Sequence, residues 1–107
     1  MTIASPFQPK KGANQKVTAG AASATIGIGT GNRSLRIMNA GAQVVYFRTY
    51  NSANGAEAAT IADTPVATSG AAGSVLVIEK PHDHDTVAYI ADSSTSIVHF
   101  QPGEGGT

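Results

Sequence analysis

Apolar and polar residues alternate along much of this chain, most plainly across residues 34–50, SLRIMNAGAQVVYFRTY. A period of two marks a half-buried strand. The stretch is expected to form two strands joined by a tight turn at residues 39–42, NAGA. Leu35 and Ile37 then share a face with Val45 and Phe47, while Arg36, Met38, Tyr46, Arg48 and Tyr50 take the other. A slip of one residue would invert all of these assignments. The unslipped register is expected because it sets Arg36 beside Tyr46 and keeps both arginines in water.

Residues 16–19 (KVTA) and 24–29 (ATIGIG) read as further strands, with Ile26 and Ile28 on one face. Residues 51–55 (NSANG) form a polar turn, and 60–62 a short strand before the punctuation of Asp63, Thr64 and Pro65. Residues 74–79 (SVLVIE) are nearly all apolar, as in a strand covered on both faces or placed at an interface. Residues 86–91 (TVAYIA) and 96–101 (SIVHFQ) flank the turn DSSTS as a second hairpin. About eight short strands with close turn signals predict an all-β fold, an antiparallel, jelly-roll-like β-sandwich. The expected organisation is an extended N-terminal arm over 1–15, a sandwich over 16–101 and a flexible C-terminal tail over 102–107. Pro6 and Pro9 keep the arm from being helical, and Phe7 between them is a candidate anchor for a partner.

Composition narrows the function classes. A chain of 107 residues is one domain. Net charge is zero and charged residues are only 13%, so nothing electrostatic favours nucleic acid or an anionic membrane. Cysteine is absent, which removes disulfides and thiolate metal sites. No apolar run approaches the roughly 20 residues that cross a bilayer, and the N-terminus lacks the apolar segment of a secretory signal. The chain is therefore expected to stay in the cytoplasm of the cell that makes it, or to leave by lysis. The large apolar residues are mainly valine and isoleucine, which favour sheet, and aromatics are only 6%. The core should be thin, and such a fold is expected to gain stability from neighbouring subunits or a docked partner.

Few groupings carry chemistry. Residues 27–32, GIGTGN, lead into a strand, whereas a phosphate-cradling loop must open a helix. His82 and His84, if extended, would share a face, but two imidazoles need further ligands to hold zinc, and His99 is the only other histidine. The bland reading of 80–85 (KPHDHD) is a solvated turn whose aspartates cap backbone amides. No nucleophile-elbow motif is present, and a domain this small leaves little room for a shielding cleft, so no enzymatic activity and no cofactor are expected. Arg33, Arg36 and Arg48 are the one basic grouping, expected to be gathered by the central hairpin beside Tyr46 and Tyr50. Arginine and tyrosine are enriched at binding hot spots, which makes this face and Lys10, Lys11 of the arm candidate partner contacts.

Four segments, in order, resemble the small head decoration or cement proteins of tailed bacteriophages. Residues 36–41 (RIMNAG) match an arginine-bearing strand motif, and 44–48 (VVYFR) the strand that follows it. Asp63, Thr64 and Pro65 match a third element, and residues 102–106 (PGEGG) the closing one. The likeness spans roughly residues 33–106 and departs from the family at 80–90, where HDHD replaces a blander turn. The resemblance implies a virion protein on the outer capsid surface, bound to the major capsid protein and to itself as a homodimer or homotrimer. Phe7, Lys10, Lys11, Arg36, Tyr46, Arg48 and Tyr50 are then the candidate interface residues. The competing expectation is a carbohydrate-binding module, or a tail or neck adhesin, on the same sandwich, with Tyr46, Tyr50 and Tyr89 as its only candidate sugar platforms.

Overall fold

The computed structural model describes residues 6–105 and contains nine strands among them. These are β1 (Gln8–Pro9), β2 (Gln15–Ala19), β3 (Ala24–Gly27), β4 (Ser34–Asn39), β5 (Val45–Tyr50), β6 (Thr64–Val66), β7 (Val75–Glu79), β8 (Thr86–Ala91) and β9 (Ser96–Glu104). All pairings are antiparallel. The first sheet runs β1-β9-β4-β7, with β2 continuing β1's place along β9. The second runs β3-β8-β5-β6. The two pack face to face, so the expected all-β antiparallel sandwich is what the chain forms.

The core is built by alternation. Leu35, Ile37, Val98 and Phe100 from the first sheet meet Val45, Phe47, Val87 and Tyr89 from the second in one buried cluster. Phe100 lies at its centre, edge-on to Phe47 at 6.3 Å between ring centroids and 5.7 Å from the Tyr89 ring. Each large apolar side chain buried this way contributes about 1.5–3 kcal/mol. The face assignment expected for residues 34–50 holds, since Leu35, Ile37, Val45 and Phe47 are all interior.

The pairing expected for that stretch does not hold. β4 belongs to the first sheet and β5 to the second, so residues 40–44 form an arch between layers and not a hairpin turn. The second expected hairpin fails in the same way, because β8 and β9 lie in different sheets. Alternation states which side chains face the core and is silent on which strand lies beside which. Both arches are long enough: sheets stack about 10 Å apart, and the four or five extended residues of each reach roughly 13–18 Å. The arches also brace each other. Ala40 N–H donates to the Ile97 carbonyl (2.8 Å) and Asp92 N–H to the Val44 carbonyl (2.8 Å). Ser93 Oγ donates to Gln43 Oε1 at 2.6 Å.

Asn39 fixes the first arch from inside. Its Nδ2 donates to the Gln43 carbonyl at 2.6 Å and more distantly to Val66 at 3.4 Å. Its Oδ1 accepts from Gly41 N–H at 3.0 Å and from Ser96 Oγ at 2.7 Å. Gly41 is required here by close approach, because a Cβ would sit 2.8 Å from the Ile97 nitrogen.

The strand expected at 60–62 is a turn, and the strand starts two residues after it, at Thr64. β6 includes Pro65, which is acceptable because β6 ends its sheet. At the C-terminus β9 runs on through buried Pro102 and Gly103 to Glu104, so these residues are sheet and not tail. β1 pairs with that end of β9, with Gln8 opposite Glu104 and Pro9 opposite Gly103. Lys10 N–H then donates to the Pro102 carbonyl at 2.8 Å. From residue 8 onward the expected arm therefore lies along the sandwich. Residues 1–5 of the arm and 106–107 of the tail are outside the described residues.

Candidate functional site

The two outer faces of the sandwich differ in how far the chain covers them. On the second sheet, Tyr46, Arg48 and Tyr50 point outward from β5, and residues 51–63 fold back over Arg48 and Tyr50. Tyr50 is buried under Ala59 beside Ala88, and Ala59 N–H donates to Ser23 Oγ at 2.8 Å. Arg48 is held by two carboxylates. Its Nε and Nη2 meet Asp63 at 2.9–3.0 Å, and its Nη1 meets Glu57 at 3.1 Å. The guanidinium holds the Asp63 carboxyl below the usual range, and that hydrogen bond in turn raises Arg48. Half-buried Tyr46 lies between Pro65 and Ile90.

The first sheet has the more open outer face. Lys16, His99, Met38 and Val75 lie in one cross-strand row, and Gln101, Arg36 and Val77 in the next. Val75 is 44% and Ile97 39% exposed, large values for apolar side chains within strands. Asn14 Nδ2 lies 3.0 Å from His99 Nδ1 at the margin. Between the β5–β6 edge and β7 there is an open depression of about 450 Å³, lined by Phe47, Arg48, Asp63, Pro65 and Ile78 among others.

These placements regroup the residues singled out from sequence. Arg36 and Arg48 are on opposite outer faces, so the basic patch expected from a central hairpin is not assembled, and Tyr46 is no neighbour of Arg36. Arg36 flanks Val77 and Gln101 instead. Phe7 is half-buried against Gly103, where an added Cβ would lie 2.8 Å from its ring. Lys10 and Lys11 are exposed. Of the three tyrosines weighed as sugar platforms, Tyr50 and Tyr89 are buried at 4% and 6% exposure, and only Tyr46 keeps a partly open ring.

The 80–85 segment is a turn with its own bracing. His84 N–H donates to the Pro81 carbonyl at 3.1 Å, which folds the segment, so His82 and His84 do not line up as they would in a strand. His84 Nδ1 lies 2.9 Å from Thr49 Oγ1. His99, expected to neighbour β8, is on the first sheet instead. Among the described residues no group of three His, Asp or Glu is placed to hold a metal ion. Asp85 caps the turn after β5, accepting from Ser52 N–H (2.9 Å), Ser52 Oγ (2.7 Å) and Thr86 Oγ1 (2.9 Å). Those bonds, Ser52's hydroxyl first, hold its pKa down at about 2.

Sequence reasoning passed over Lys80, which is 3% exposed. Its ammonium donates to the carbonyls of Asn32 (2.7 Å), His84 (2.9 Å) and, more weakly, Pro81 (3.4 Å), clasping the β3–β4 and β7–β8 connections together. Burial lowers its pKa, opposed by the charges of Glu104, Asp83 and Asp85. The one available signal was position, a lysine ending an apolar run directly before a proline. Comparison with protein-family models, curated proteins and solved structures finds no match to this chain.

Proposed function

We propose that this chain is a structural protein of a tailed-bacteriophage virion, a decoration or cement protein that binds the outer capsid surface and clamps neighbouring capsomers. The supporting observation is the outer face of the first sheet. It is left open to solvent, and it mixes exposed Val75 and Ile97 with Arg36, His99 and Lys16. Apolar side chains interspersed with arginine are the composition of a protein-binding patch. The resemblance of residues 36–48 adds to this. Its Asn39 and Gly41 are the residues that hold the arch, so the shared motif has a structural reason to recur in a common architecture. The strand orders β2-β9-β4-β7 and β3-β8-β5-β6 interleave successive strands between layers, which supports the jelly-roll form of the sandwich.

A clamp repeated around a shell needs only modest affinity at each contact. A protein that binds the assembled lattice and not its free subunits stabilises the shell by mass action. The test is addition of the purified chain to capsids lacking it, with occupancy read by electron microscopy and shell stability by thermal melting. Ordered density on the outer surface, in copy numbers on the order of hundreds as icosahedral symmetry demands, is the expected result. Absence of binding to both immature and expanded shells would overturn the proposal. Strong specific hits on a glycan array together with that absence would favour the sugar-binding alternative.

A further inference from the structure

We infer that β7 is a self-pairing edge, through which two copies of this chain join their first sheets into one continuous sheet across a two-fold axis. β7 closes one side of that sheet, and among the described residues it is bonded only to β4. Asn39 N–H donates to the Ser74 carbonyl and Lys80 N–H to the Arg33 carbonyl. Hydrogen-bonded and non-bonded pairs alternate along an antiparallel ladder, so residues 74, 76, 78 and 80 spend their backbone groups on β4. Val75, Val77 and Glu79 must then direct theirs away from the sheet.

That edge lacks the usual protections. It has no proline, no lysine and no bulge between Val75 and Glu79. Two such edges fit each other in one register. With Val77 opposite Val77 of the second copy, Val75 faces Glu79 on both sides, and every outward-pointing backbone group finds a partner, about six hydrogen bonds in all. Leu76 then meets Ile78 of the second copy on the interior face, continuing a row that is only partly buried in one chain. The sole charge on β7 is Glu79, and this register sets the two copies of it about 13–14 Å apart, beyond the screening length of roughly 8 Å. A shift by one residue would oppose outward groups to inward ones and lose the ladder.

This deepens the oligomeric part of the proposed role but rests on its own observation. A monomer that still decorates capsids would sink this proposal alone, and a dimer that binds no capsid would sink the other. Two five-residue strands cover less than the roughly 1,200–2,000 Å² of a tight interface, so association is expected in the micromolar range. The experiment is sedimentation equilibrium of the full chain, paired with amide hydrogen exchange. The expected result is a concentration-dependent dimer in which the amides of Val75, Val77 and Glu79 become protected as dimer forms. Val77→Pro removes one outward N–H without touching the β4 ladder, and should give a folded monomer. Should that variant fail to fold, Val77→Lys sets two like charges face to face and tests the same contact. A chain that stays monomeric up to millimolar concentration overturns the inference, as does a dimer that leaves those three amides fast-exchanging or survives the folded substitution.

Discussion

Removing the Asn39 side chain should release the arch between β4 and β5, and the structure sets the size of the effect. Asn39 is 1% exposed and makes three short hydrogen bonds, to the Gln43 carbonyl, the Gly41 amide and the Ser96 hydroxyl. A typical internal hydrogen bond contributes about 1 kcal/mol net, and a buried partner left unpaired costs about 1–3 kcal/mol. Asn39→Ala is therefore expected to lose about 3 kcal/mol, a large part of the roughly 5–15 kcal/mol that holds a domain of this size. For a chain of about 100 residues that is a fall in melting temperature of about 12–24 °C. Urea denaturation followed by circular dichroism should show a lower midpoint with an unchanged slope. A double-mutant cycle with Ser96→Ala should return a coupling of about 1 kcal/mol, within the range for side chains in direct contact.

Asn39→Asp sharpens the test. The carboxylate keeps an acceptor for Gly41 and Ser96 but turns the donor facing Gln43 into a second acceptor, 2.6 Å from a carbonyl oxygen. Burial and that carbonyl raise the new carboxyl's pKa above its unfolded value of about 3.9. A raised folded pKa gives stability that is present in acid and lost as pH rises through it, so this variant should melt higher at pH 4 than at pH 7. A loss below about 1 kcal/mol for Asn39→Ala, or a pH-independent Asn39→Asp, would mean that the backbone and core alone hold the arch.

Phe100→Ala, at a fully buried ring between Phe47 and Tyr89, should cost about 3–5 kcal/mol by denaturant melting, and Phe100→Leu distinctly less. Lys80→Met keeps the volume and removes the clasp on the Asn32 and His84 carbonyls. A loss of about 2–4 kcal/mol is expected, together with faster amide exchange in the 29–33 and 80–85 connections. Asp63 and Asp85 both have lowered folded pKa values, so their stabilisation is complete above about pH 4 and is lost as pH falls, for Asp85 through about 2. The melting temperature should drop across that acid window, and Asp85→Asn should flatten the drop while lowering stability at neutral pH.

What the sequence made legible divides along a physical line. Burial is a property of one residue and its parity, so Leu35, Ile37, Val45 and Phe47 could be placed inward from alternation alone, and short β-branched runs sufficed for an all-β sandwich. Pairing is a property of two distant segments. The NAGA and DSSTS connections carry turn chemistry that serves a hairpin and an arch equally well, and only the packing of two layers decides between them. That one ambiguity undid the basic patch, because Arg36 and Arg48 share an outward parity but not a sheet. Parity also limits what the candidate surface can be. In an arch, outward residues of consecutive strands emerge on opposite faces of the slab, so a motif such as RIMNAG–VVYFR cannot form one compact binding patch by itself. A partner that reads the first sheet must gather Arg36 with residues far from it in sequence: Val77 on β7 and Gln101 on β9. Specificity for such a partner is therefore written in cross-strand rows, and substitutions along a row should couple in binding where substitutions along a strand do not.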